Sequence, residues 1–262
     1  GGIVVIEPVE LVASKIAQGT SSALCGQAAV QYFEAAVNWC LAGRLSGVVT
    51  CPINKEAVQM AGYHEDIGHQ EILARMTGAS LTATMLMTPG LKVAHLSTHK
   101  SLAQAVAYVR REVIVDKLLL THSSLESWGM FKPRIAVAAL NPHGGEGGML
   151  GREEIEEIAP AVLECQSRGL DIVGPYPSDS VFYRATKGEF DAVLALYHDQ
   201  GHIAIKVHNF ELSVTATMGI PFVRTSVDHG TAFDIVGQNL ANANGLVEAV
   251  STAILMLNQS LT

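Results

Sequence analysis

Cysteine is scarce in this chain, and its spacing excludes the structures that most often depend on it. The 262 residues include four cysteines, which lie far apart and form no CxxC pair: Cys25, Cys40, Cys51 and Cys165. A disulfide framework or a zinc finger needs closely spaced cysteines. We therefore expect reduced, mostly buried thiols, which are typical of a cytoplasmic protein.

Positive charge is also in short supply. The chain has 17 lysines and arginines against 25 aspartates and glutamates, which gives a formal net charge of -8. A protein that binds nucleic acid regardless of sequence needs a basic surface to neutralise phosphates, so we expect no nucleic-acid partner. A small anionic substrate is still compatible with this charge, because a local basic pocket can form in an acidic protein.

Long apolar runs and the common nucleotide motifs are missing as well. No run reaches the roughly 20 residues of a membrane span, and no signal-peptide pattern opens the chain, so we expect no membrane partner. The glycine-rich stretch "NPHGGEGGMLG" (141–151) is neither a Walker loop nor a GxGxxG fingerprint. Two interpretations stay open for it: a cradle of backbone N–H groups for an anion, or a tight strand-to-helix turn.

What the chain does have is a repeated order of apolar run, turn and helical pattern. Hydrophobic residues make up 48% of the sequence, which is typical of a globular protein. Four runs rich in Val, Ile, Leu and Ala precede turns or helical segments: "LSGVVT" (45–50), "LKVAHLSTH" (91–99), "RIAVAAL" (134–140) and "DAVLALY" (191–197). This order predicts an α/β fold with a parallel or mixed sheet covered on both faces. The clearest helix follows Gly148, where four glutamates suit the positive end of a helix dipole.

A histidine lies at the end of three of these runs. His99 closes "LKVAHLSTH", His143 follows "RIAVAAL", and His198 follows "DAVLALY". Ligands of open α/β sheets bind at the carboxyl ends of strands, and neutral imidazole is a common ligand of divalent metals. The pattern therefore favours a catalytic metal site, although each histidine alone is also compatible with an ordinary loop position.

Two cations and one polar loop add to the candidate chemistry. Lys206 and Arg224 could both bind a phosphate, and Arg224 interrupts an apolar run where a surface cation is not expected. The segment "SVDHGTAFDIVGQNLAN" (226–242) sets polar side chains among small residues. This composition suits a loop that binds a polar ligand, or a long capped turn.

Six ordered motifs resemble one enzyme family. They are "TCPINKEAV", "GHQEILA", "STH", "LNPHGGEGG", "YHDQG" and "GIPFVRTSVDHGTAFDIVG", and they span the chain from about Val48 to the C-terminus. Together they are similar to the 4-hydroxythreonine-4-phosphate dehydrogenase (PdxA) family of pyridoxine biosynthesis.

This resemblance implies a fold similar to isocitrate and isopropylmalate dehydrogenases. Residues 1–262 would form one structural unit of two interleaved α/β/α subdomains, with the active-site cleft between them and a mixed central sheet arrangement. The family's opening Gly-Asp-Pro-Ala-Gly-Ile-Gly-Pro-Glu segment is absent, so we expect a first strand and helix to be missing. The resemblance also implies a cytoplasmic homodimer whose active site lies at the subunit interface.

The resemblance implies NAD and a divalent metal as cofactors. By position, His99, His143 and His198 match the family's metal ligands, one of them supplied by the neighbouring subunit. The metal would be zinc, or cobalt, nickel, manganese or magnesium. The loop carrying His229, Gly230, Asp234 and Asn242 is similar to the adenosine-binding loop of the larger superfamily.

The resemblance also assigns the substrate site. The residues that match substrate-binding positions are His69, Gln70, Asp179, Lys206, Thr215 and Arg224, with Lys206 and Arg224 as the phosphate-binding cations. Asp199 and Lys206 are the candidate catalytic residues. We expect Asp199 to orient a metal-bound group or to relay a proton, because it directly follows His198.

Two positions depart from the family's usual pattern. Threonine is usual where this chain has Gln70, and the pyridoxine enzymes place asparagine where this chain has Thr215. The segment "KVHNFELSVTAT" also differs from their glycine-rich counterpart. These differences resemble the catabolic branch, which acts on D-threonate or D-erythronate 4-phosphate.

The sequence therefore predicts an NAD-dependent, metal-dependent oxidative decarboxylation of a four-carbon 3-hydroxy acid 4-phosphate. The main interpretation is an enzyme similar to 4-hydroxythreonine-4-phosphate dehydrogenase, and the alternative is a D-threonate or D-erythronate 4-phosphate dehydrogenase. A truncated, non-catalytic homologue that binds a ligand is the alternative from another class. An aromatic cis-dihydrodiol dehydrogenase is disfavoured, because its substrate has no phosphate for Lys206 and Arg224.

Overall fold

The fold is taken from a computed structural model that describes residues 3–66 and 68–261. The helices in chain order are α1 (Ala23–Leu41), α2 (Lys55–Met60), α3 (His69–Thr77), α4 (Leu102–Tyr108), α5 (Arg111–Ser127), α6 (Ala159–Ser167), α7 (Ser178–Thr186), α8 (His198–His208) and α9 (Asn244–Leu257). The strands are β1 (Gly47–Thr50), β2 (Ala83–Thr88), β3 (Leu91–His95), β4 (Ile135–Ala138), β5 (Ile172–Tyr176), β6 (Ala192–Ala195), β7 (Val214–Met218) and β8 (Val223–Val227).

The chain divides into two compact units, each made of two separate segments. The first unit comprises Gly1–Thr82 and Ile220–Ala253, and the second comprises Ala83–Gly219 and Ile254–Thr262. In the residues that are described, no helix is both long and apolar enough to cross a membrane.

The second unit contains a mixed sheet. Strands β3, β6, β4 and β5 are neighbours in that order and run parallel. Strand β2 pairs antiparallel with both β3 and β7. Every residue of β4 and β6 is buried, as expected for central parallel strands covered on both faces. The α/β class and the four apolar strands predicted from the sequence are thus confirmed.

The first unit has a smaller parallel pair, β1 with β8, in which Thr50 aligns with Ser226. Its helices α1, α2 and α3 pack through a buried apolar cluster: Val30, Phe33, Val37, Val58, Ile72 and Leu73. Ser22 caps α1 by accepting a hydrogen bond from the backbone N–H of Cys25 at 3.2 Å.

Two predicted helical segments are interrupted. The helical segment expected after "LKVAHLSTH" forms α4 and α5, which are separated by extended backbone at Val109 and Arg110. The carboxylate of Glu157 accepts a hydrogen bond from the backbone N–H of Arg111 at 2.7 Å. A residue distant in sequence therefore provides an acceptor for one of the free N–H groups at the start of α5. The helix predicted after Gly148 begins as a π-helical turn, Glu154–Ile158. Pro160, two residues after Ile158, lacks the N–H that an ordinary helical turn would donate.

All four cysteines are free thiols. Cys40 and Cys165 are buried, Cys25 is half-buried and Cys51 is exposed. Burial raises the pKa of the Cys40 and Cys165 thiols, which keeps both protonated and unreactive.

Candidate functional site

Four predicted site residues follow the carboxyl ends of four neighbouring strands in the second unit. His99 follows β3, His198 follows β6, His143 follows β4, and Asp179 lies in the first turn of α7 after β5. Because these strands are parallel and adjacent, their carboxyl ends lie at one edge of the sheet. This is the edge at which α/β proteins bind ligands.

The stretch "DAVLALYHDQGH" changes from apolar to polar where β6 gives way to α8. His198 is the first residue of α8, and its Nδ1 lies 2.6 Å from Oδ1 of Asp199. When Nδ1 donates to this carboxylate, the neutral ring presents Nε2 as its lone-pair nitrogen. A carboxylate behind a histidine is the usual arrangement at metal centres, where it fixes the tautomer.

His143 lies in a left-handed turn that its own glycines make possible. Five consecutive residues, from His143 to Gly147, have φ between +47° and +81°. Glycine adopts this left-handed backbone with little strain. For residues that carry a side chain, here His143 and Glu146, it costs roughly 1 kcal/mol each. The turn brings Oε1 of Glu146 to 2.8 Å from Nδ1 of His143, so this ring also keeps Nε2 for another partner.

Glu154 holds the start of this turn. Its carboxylate is buried, and it accepts hydrogen bonds from the backbone N–H groups of Leu140 and Asn141 at 2.8 and 2.7 Å. The Asn141 amide donates to it as well, at 2.9 Å. Glu154 does lie in the first helical turn, and its carboxylate has a further role that the pattern of glutamates did not indicate. This side chain points back to the loop because the N–H groups at the end of β4 need an acceptor.

Gln200 joins the strand ends to one another, a role that no motif in the sequence indicated. Its Oε1 accepts from the N–H of Leu196 at 2.6 Å, and its Nε2 donates to the carbonyl of Ala139 and to Oγ of Ser178, both at 2.8 Å. Its position close after a buried strand could have indicated this role. A buried amide needs hydrogen-bond partners, and the ends of neighbouring strands supply them.

The structure does not gather the three histidines into a metal site within one chain. Among the residues it describes, no three His, Cys, Asp or Glu side chains lie close enough together to hold an ion. His99 and His143 are both exposed at the sheet edge. The carboxylate-held rings of His143 and His198 do fit the donor type that a divalent metal requires. The metal assignment therefore stays a prediction.

Arg224 of the first unit is buried on β8, as its apolar surroundings in the sequence indicated. It is 5% exposed, and its Nη2 donates to Oγ1 of Thr50 on β1 at 2.6 Å. Burial lowers the pKa of Arg224 to about 10, so the guanidinium is still charged near neutral pH. A buried cation of this kind is suited to a phosphate or carboxylate.

His69 and Gln70 are the first two residues of α3 in the same unit. The His69 ring packs edge-on against Phe33, with 4.5 Å between centroids. Burial and, to a smaller extent, the charge of Arg224 lower the pKa of His69 to about 3. His69 is therefore neutral at physiological pH and offers one donor and one acceptor.

Lys206 and Thr215 belong to the second unit. Nζ of Lys206 donates to Oγ of Ser213 at 3.1 Å and lies 4.6 Å above the Phe210 ring. Thr215 is half-buried on β7, opposite Leu86 of β2. Both side chains are partly accessible, as a substrate contact requires.

The predicted cofactor residues lie in the loop between β8 and α9. His229, Gly230, Asp234 and Asn242 are all exposed. Local bonds shape the loop: Nδ1 of His229 lies 2.9 Å from the carbonyl of Gly230, and Oδ1 of Asn242 accepts from the N–H of Asn244 at 2.8 Å. Their cofactor-binding role stays a prediction.

Histidines and a carboxylate at the carboxyl ends of parallel strands are typical of an α/β enzyme. The family model described as "Pyridoxal phosphate biosynthetic protein PdxA" matches residues 3–253. The chain belongs to the PdxA family. Members similar to it are named dehydrogenases, so the chain is an oxidoreductase, as the motifs predicted.

Individual relatives support this membership. The chain is 44% identical over 233 residues to the D-threonate 4-phosphate dehydrogenase of Cupriavidus necator, covering 88% of this chain and 70% of that protein. It is also 44% identical over 237 residues to the 4-hydroxythreonine-4-phosphate dehydrogenase of Beijerinckia indica subsp. indica, covering 90% and 70%.

Solved structures agree with the predicted fold. The 4-hydroxythreonine-4-phosphate dehydrogenase of Klebsiella pneumoniae superposes with a TM-score of 0.86 at 38% identity, covering 93% of this chain and 74% of that one. The isocitrate dehydrogenase of Methylococcus capsulatus, at 12% identity and a TM-score of 0.51, shares the fold alone, covering 90% and 76%. The predicted likeness to the isocitrate dehydrogenase fold is confirmed.

Proposed function

We propose that this chain catalyses the NAD-dependent and divalent-metal-dependent oxidative decarboxylation of a four-carbon 3-hydroxy acid 4-phosphate. The observation that carries the proposal is the row of His99, His198 and His143 after three adjacent parallel strands. Membership of a dehydrogenase family supports the same chemistry.

Two cofactors would supply what side chains cannot. A divalent metal held by His99, His143 and His198 would act as a Lewis acid on the oxygen of the reacting carbon. NAD, proposed to bind the loop of His229, Gly230, Asp234 and Asn242, would accept the hydride. Loss of carbon dioxide then follows readily, because the oxidised product is a β-keto acid.

The chain's own residues bind and orient the substrate. Arg224 offers a buried guanidinium and Lys206 an ammonium for the terminal phosphate. Fixing the phosphate fixes the position of the reacting carbon, and such positioning can supply a large share of a rate enhancement. Neutral His69 and the exposed Asp179 are proposed to hydrogen-bond the substrate's polar groups.

Asp199 is proposed to hold the proton on Nδ1 of His198, at the 2.6 Å separation of the two groups. This keeps the ring in one tautomer and leaves Nε2 for its ligand role. Its side chain is 71% exposed, so it can also exchange a proton with solvent.

D-threonate 4-phosphate is the first candidate substrate. The Cupriavidus necator relative bears that name, and Gln70 and Thr215 replace the residues usual in the pyridoxine enzymes. The Beijerinckia indica relative, which has the same identity, supports 4-hydroxythreonine 4-phosphate as the second candidate. The two substrates differ only in a hydroxyl or an amine on the second carbon.

A homodimer and a cytoplasmic location complete the proposal. Met149, next to the turn of His143, is 80% exposed, and Val207 of α8 is 82% exposed. We propose that a second subunit covers these side chains. Sedimentation analysis would test the dimer. Four free thiols suit a reducing compartment.

The deciding experiment measures NADH formation with D-threonate 4-phosphate and 4-hydroxythreonine 4-phosphate side by side, with added Zn²⁺, Co²⁺ or Mn²⁺ and with EDTA. We expect turnover of D-threonate 4-phosphate that EDTA abolishes and metal restores. Turnover of 4-hydroxythreonine 4-phosphate alone would assign the chain to pyridoxine biosynthesis. Gln70 and Thr215 would then not determine which substrate is used. No turnover of either, in a protein that still binds NAD, would favour a non-catalytic binder.

The variant His198→Ala, with His208→Ala as its matched control on the same helix, tests the metal assignment. We expect His198→Ala to abolish metal-dependent turnover and leave the unfolding temperature nearly unchanged. Activity that survives in this variant would contradict the assignment of His198.

A further inference from the structure

Two further histidines stand behind His198. The His202 ring stacks on the His198 ring with 3.6 Å between centroids and 13° between planes. The His95 ring contacts His202 as well, with 4.6 Å between centroids and a tilt of 52° between planes. His202 is anchored one helical turn after His198, because its Nδ1 donates to the His198 carbonyl at 3.0 Å. The three imidazoles therefore form one contiguous group, in which His198 stacks on His202 and His95 packs against His202 at an angle.

His95 occupies a position that is costly for a polar side chain. It is the last residue of β3 and is 2% exposed. Neither ring nitrogen has a hydrogen-bond partner among residues 3–66 and 68–261. An unsatisfied buried polar group costs about 1–3 kcal/mol, so an apolar side chain of similar volume would be more stable here. A local conflict of this kind is expected at functional positions.

Gly201 lets helix α8 rest directly on His95. A Cβ at position 201 would lie 2.3 Å from Nε2 of His95 and 2.8 Å from Cγ1 of Val93, distances that no real side chain tolerates. The glycine is needed here for the close approach of helix and strand. His95 therefore sets the depth of α8 at the turn that carries His198 and His202.

The His95 ring carries no charge at physiological pH. Burial, followed by the neighbouring His202, His198 and Lys117, lowers the pKa of His95 to about 3. The innermost ring is thus neutral at physiological pH, and neutral aromatic rings pack favourably at these separations.

We propose that His202 and His95 are positioning residues, which fix the plane of the His198 imidazole through the stack. Asp199 restrains the same ring in its plane through Nδ1 at 2.6 Å. With both restraints the ring keeps one orientation, and Nε2 points in one direction before any ligand arrives. The consequence for catalysis depends on the proposed function, whereas the restraint on the ring does not.

The restraint can be measured on the protein without substrate or metal. Histidines labelled with ¹³C at Cε1 give one ¹H–¹³C signal each, and the face of His202 should shift the His198 signal upfield. We expect His202→Ala to move this signal downfield and broaden it, and His202→Phe to preserve the upfield shift because it keeps an aromatic ring. His208→Phe, on the exposed end of α8, should leave it unchanged. A His198 signal that does not move in His202→Ala would overturn the proposal.

Kinetics then separate positioning from stability. Loss of a supporting partner of a metal ligand typically costs about 10–100-fold in affinity or activity. We expect His202→Ala to lower kcat by this factor and to change KM for the phosphorylated substrate less than about threefold, with His202→Phe recovering most of kcat.

His95→Leu gives the sharper test. Removing the unpartnered ring should raise or maintain the unfolding temperature while kcat falls about tenfold or more. Raised stability with unchanged kcat would show that His95 is only a packing residue and would overturn its part of the proposal. If the wild type turns over neither substrate, the proposed function fails, and the ¹H–¹³C comparison, extended to His95→Leu, still decides the positioning role.

Discussion

Nη2 of Arg224 on β8 donates a hydrogen bond to Oγ1 of Thr50 on β1, at 2.6 Å in a buried setting. Oγ of the neighbouring Ser226 donates to the carbonyl of Thr50 at 3.1 Å. The two side chains thus lock the parallel pair of the first unit. The guanidinium of Arg224 is thereby held in one orientation before any anion binds.

Arg224→Lys should therefore cost affinity even though it keeps the charge. A lysine presents a point charge and cannot reproduce the planar fork of the guanidinium. We expect KM for the phosphorylated substrate to rise at least about tenfold with a smaller change in kcat. Thr50→Ser, which keeps the hydroxyl, is the matched control and should stay close to wild type. Equal KM values for Arg224→Lys and wild type would remove Arg224 from the phosphate site.

Gln200→Met should destabilise the second unit. The thioether fills similar space but leaves the N–H of Leu196 without the acceptor it has at 2.6 Å. The carbonyl of Ala139 loses the bond from Gln200 at 2.8 Å and keeps only the one from Oγ of Ser178 at 2.7 Å. We expect a loss of about 2–4 kcal/mol in the free energy of unfolding, measured by urea titration. Gln166→Met removes a single bond, at 2.7 Å to the carbonyl of Ile172, and should cost no more than about 1.5 kcal/mol.

The fold was predictable because central parallel strands are apolar on both faces. Every residue of β4 and β6 is buried. Both strands therefore appear in the sequence as continuous apolar runs, which makes them easy to predict. Strand β7 contains Thr215 and Thr217. Because polar and apolar residues are mixed in it, the sequence did not predict this strand. The break between α4 and α5 was hidden for another reason: Glu157 satisfies the start of α5 from 46 positions away.

The placement of the candidate histidines after buried strands was predictable, whereas their metal role stays a prediction. His99, His143 and His198 follow apolar runs, and the order of residues alone reveals that. Glu154 and Gln200 act on backbone groups of other segments, and such contacts exist only after folding. The contact of His95 with His202 depends likewise on the close approach of β3 and α8, which residue spacing does not encode.

Glu154→Gln should loosen the turn that carries His143. The amide oxygen can still accept the bonds from the N–H groups of Leu140 and Asn141, but without the charge that strengthens them. The new NH₂ group cannot accept the bond that the Asn141 amide now donates to Oε2. We expect a loss of about 2–3 kcal/mol in unfolding free energy and weaker Co²⁺ binding, measured by urea titration and by the cobalt absorption spectrum.

Glu156→Gln is the control for that variant. Glu156 pairs with Arg152 at 2.5 Å on the surface, where both side chains are more than half exposed. An exposed pair of this kind is worth about 0–1 kcal/mol. If both variants lose the same stability, Glu154 has no special part in holding the turn.

Stability should fall as the pH drops below the ordinary pKa of histidine. Burial lowers the pKa of both His95 and His69 to about 3, from 6.5 in the unfolded chain. Between these values the unfolded chain binds a proton on each residue and the folded protein does not. Unfolding therefore takes up protons, and stability rises with pH in this window. For His95 the loss between pH 6.5 and 5 is about 2 kcal/mol.

Urea titrations at pH 7, 6 and 5 measure this dependence, and His95→Leu isolates one part of it. The leucine variant should lose less stability on acidification, because its unfolded state binds one proton fewer. His208→Leu removes an exposed histidine of α8 and should keep the wild-type slope. If His95→Leu keeps the wild-type slope instead, His95 takes up its proton in the folded protein. Its ring would then be charged within the stack at these pH values, and only a solvated or paired imidazole could carry that charge.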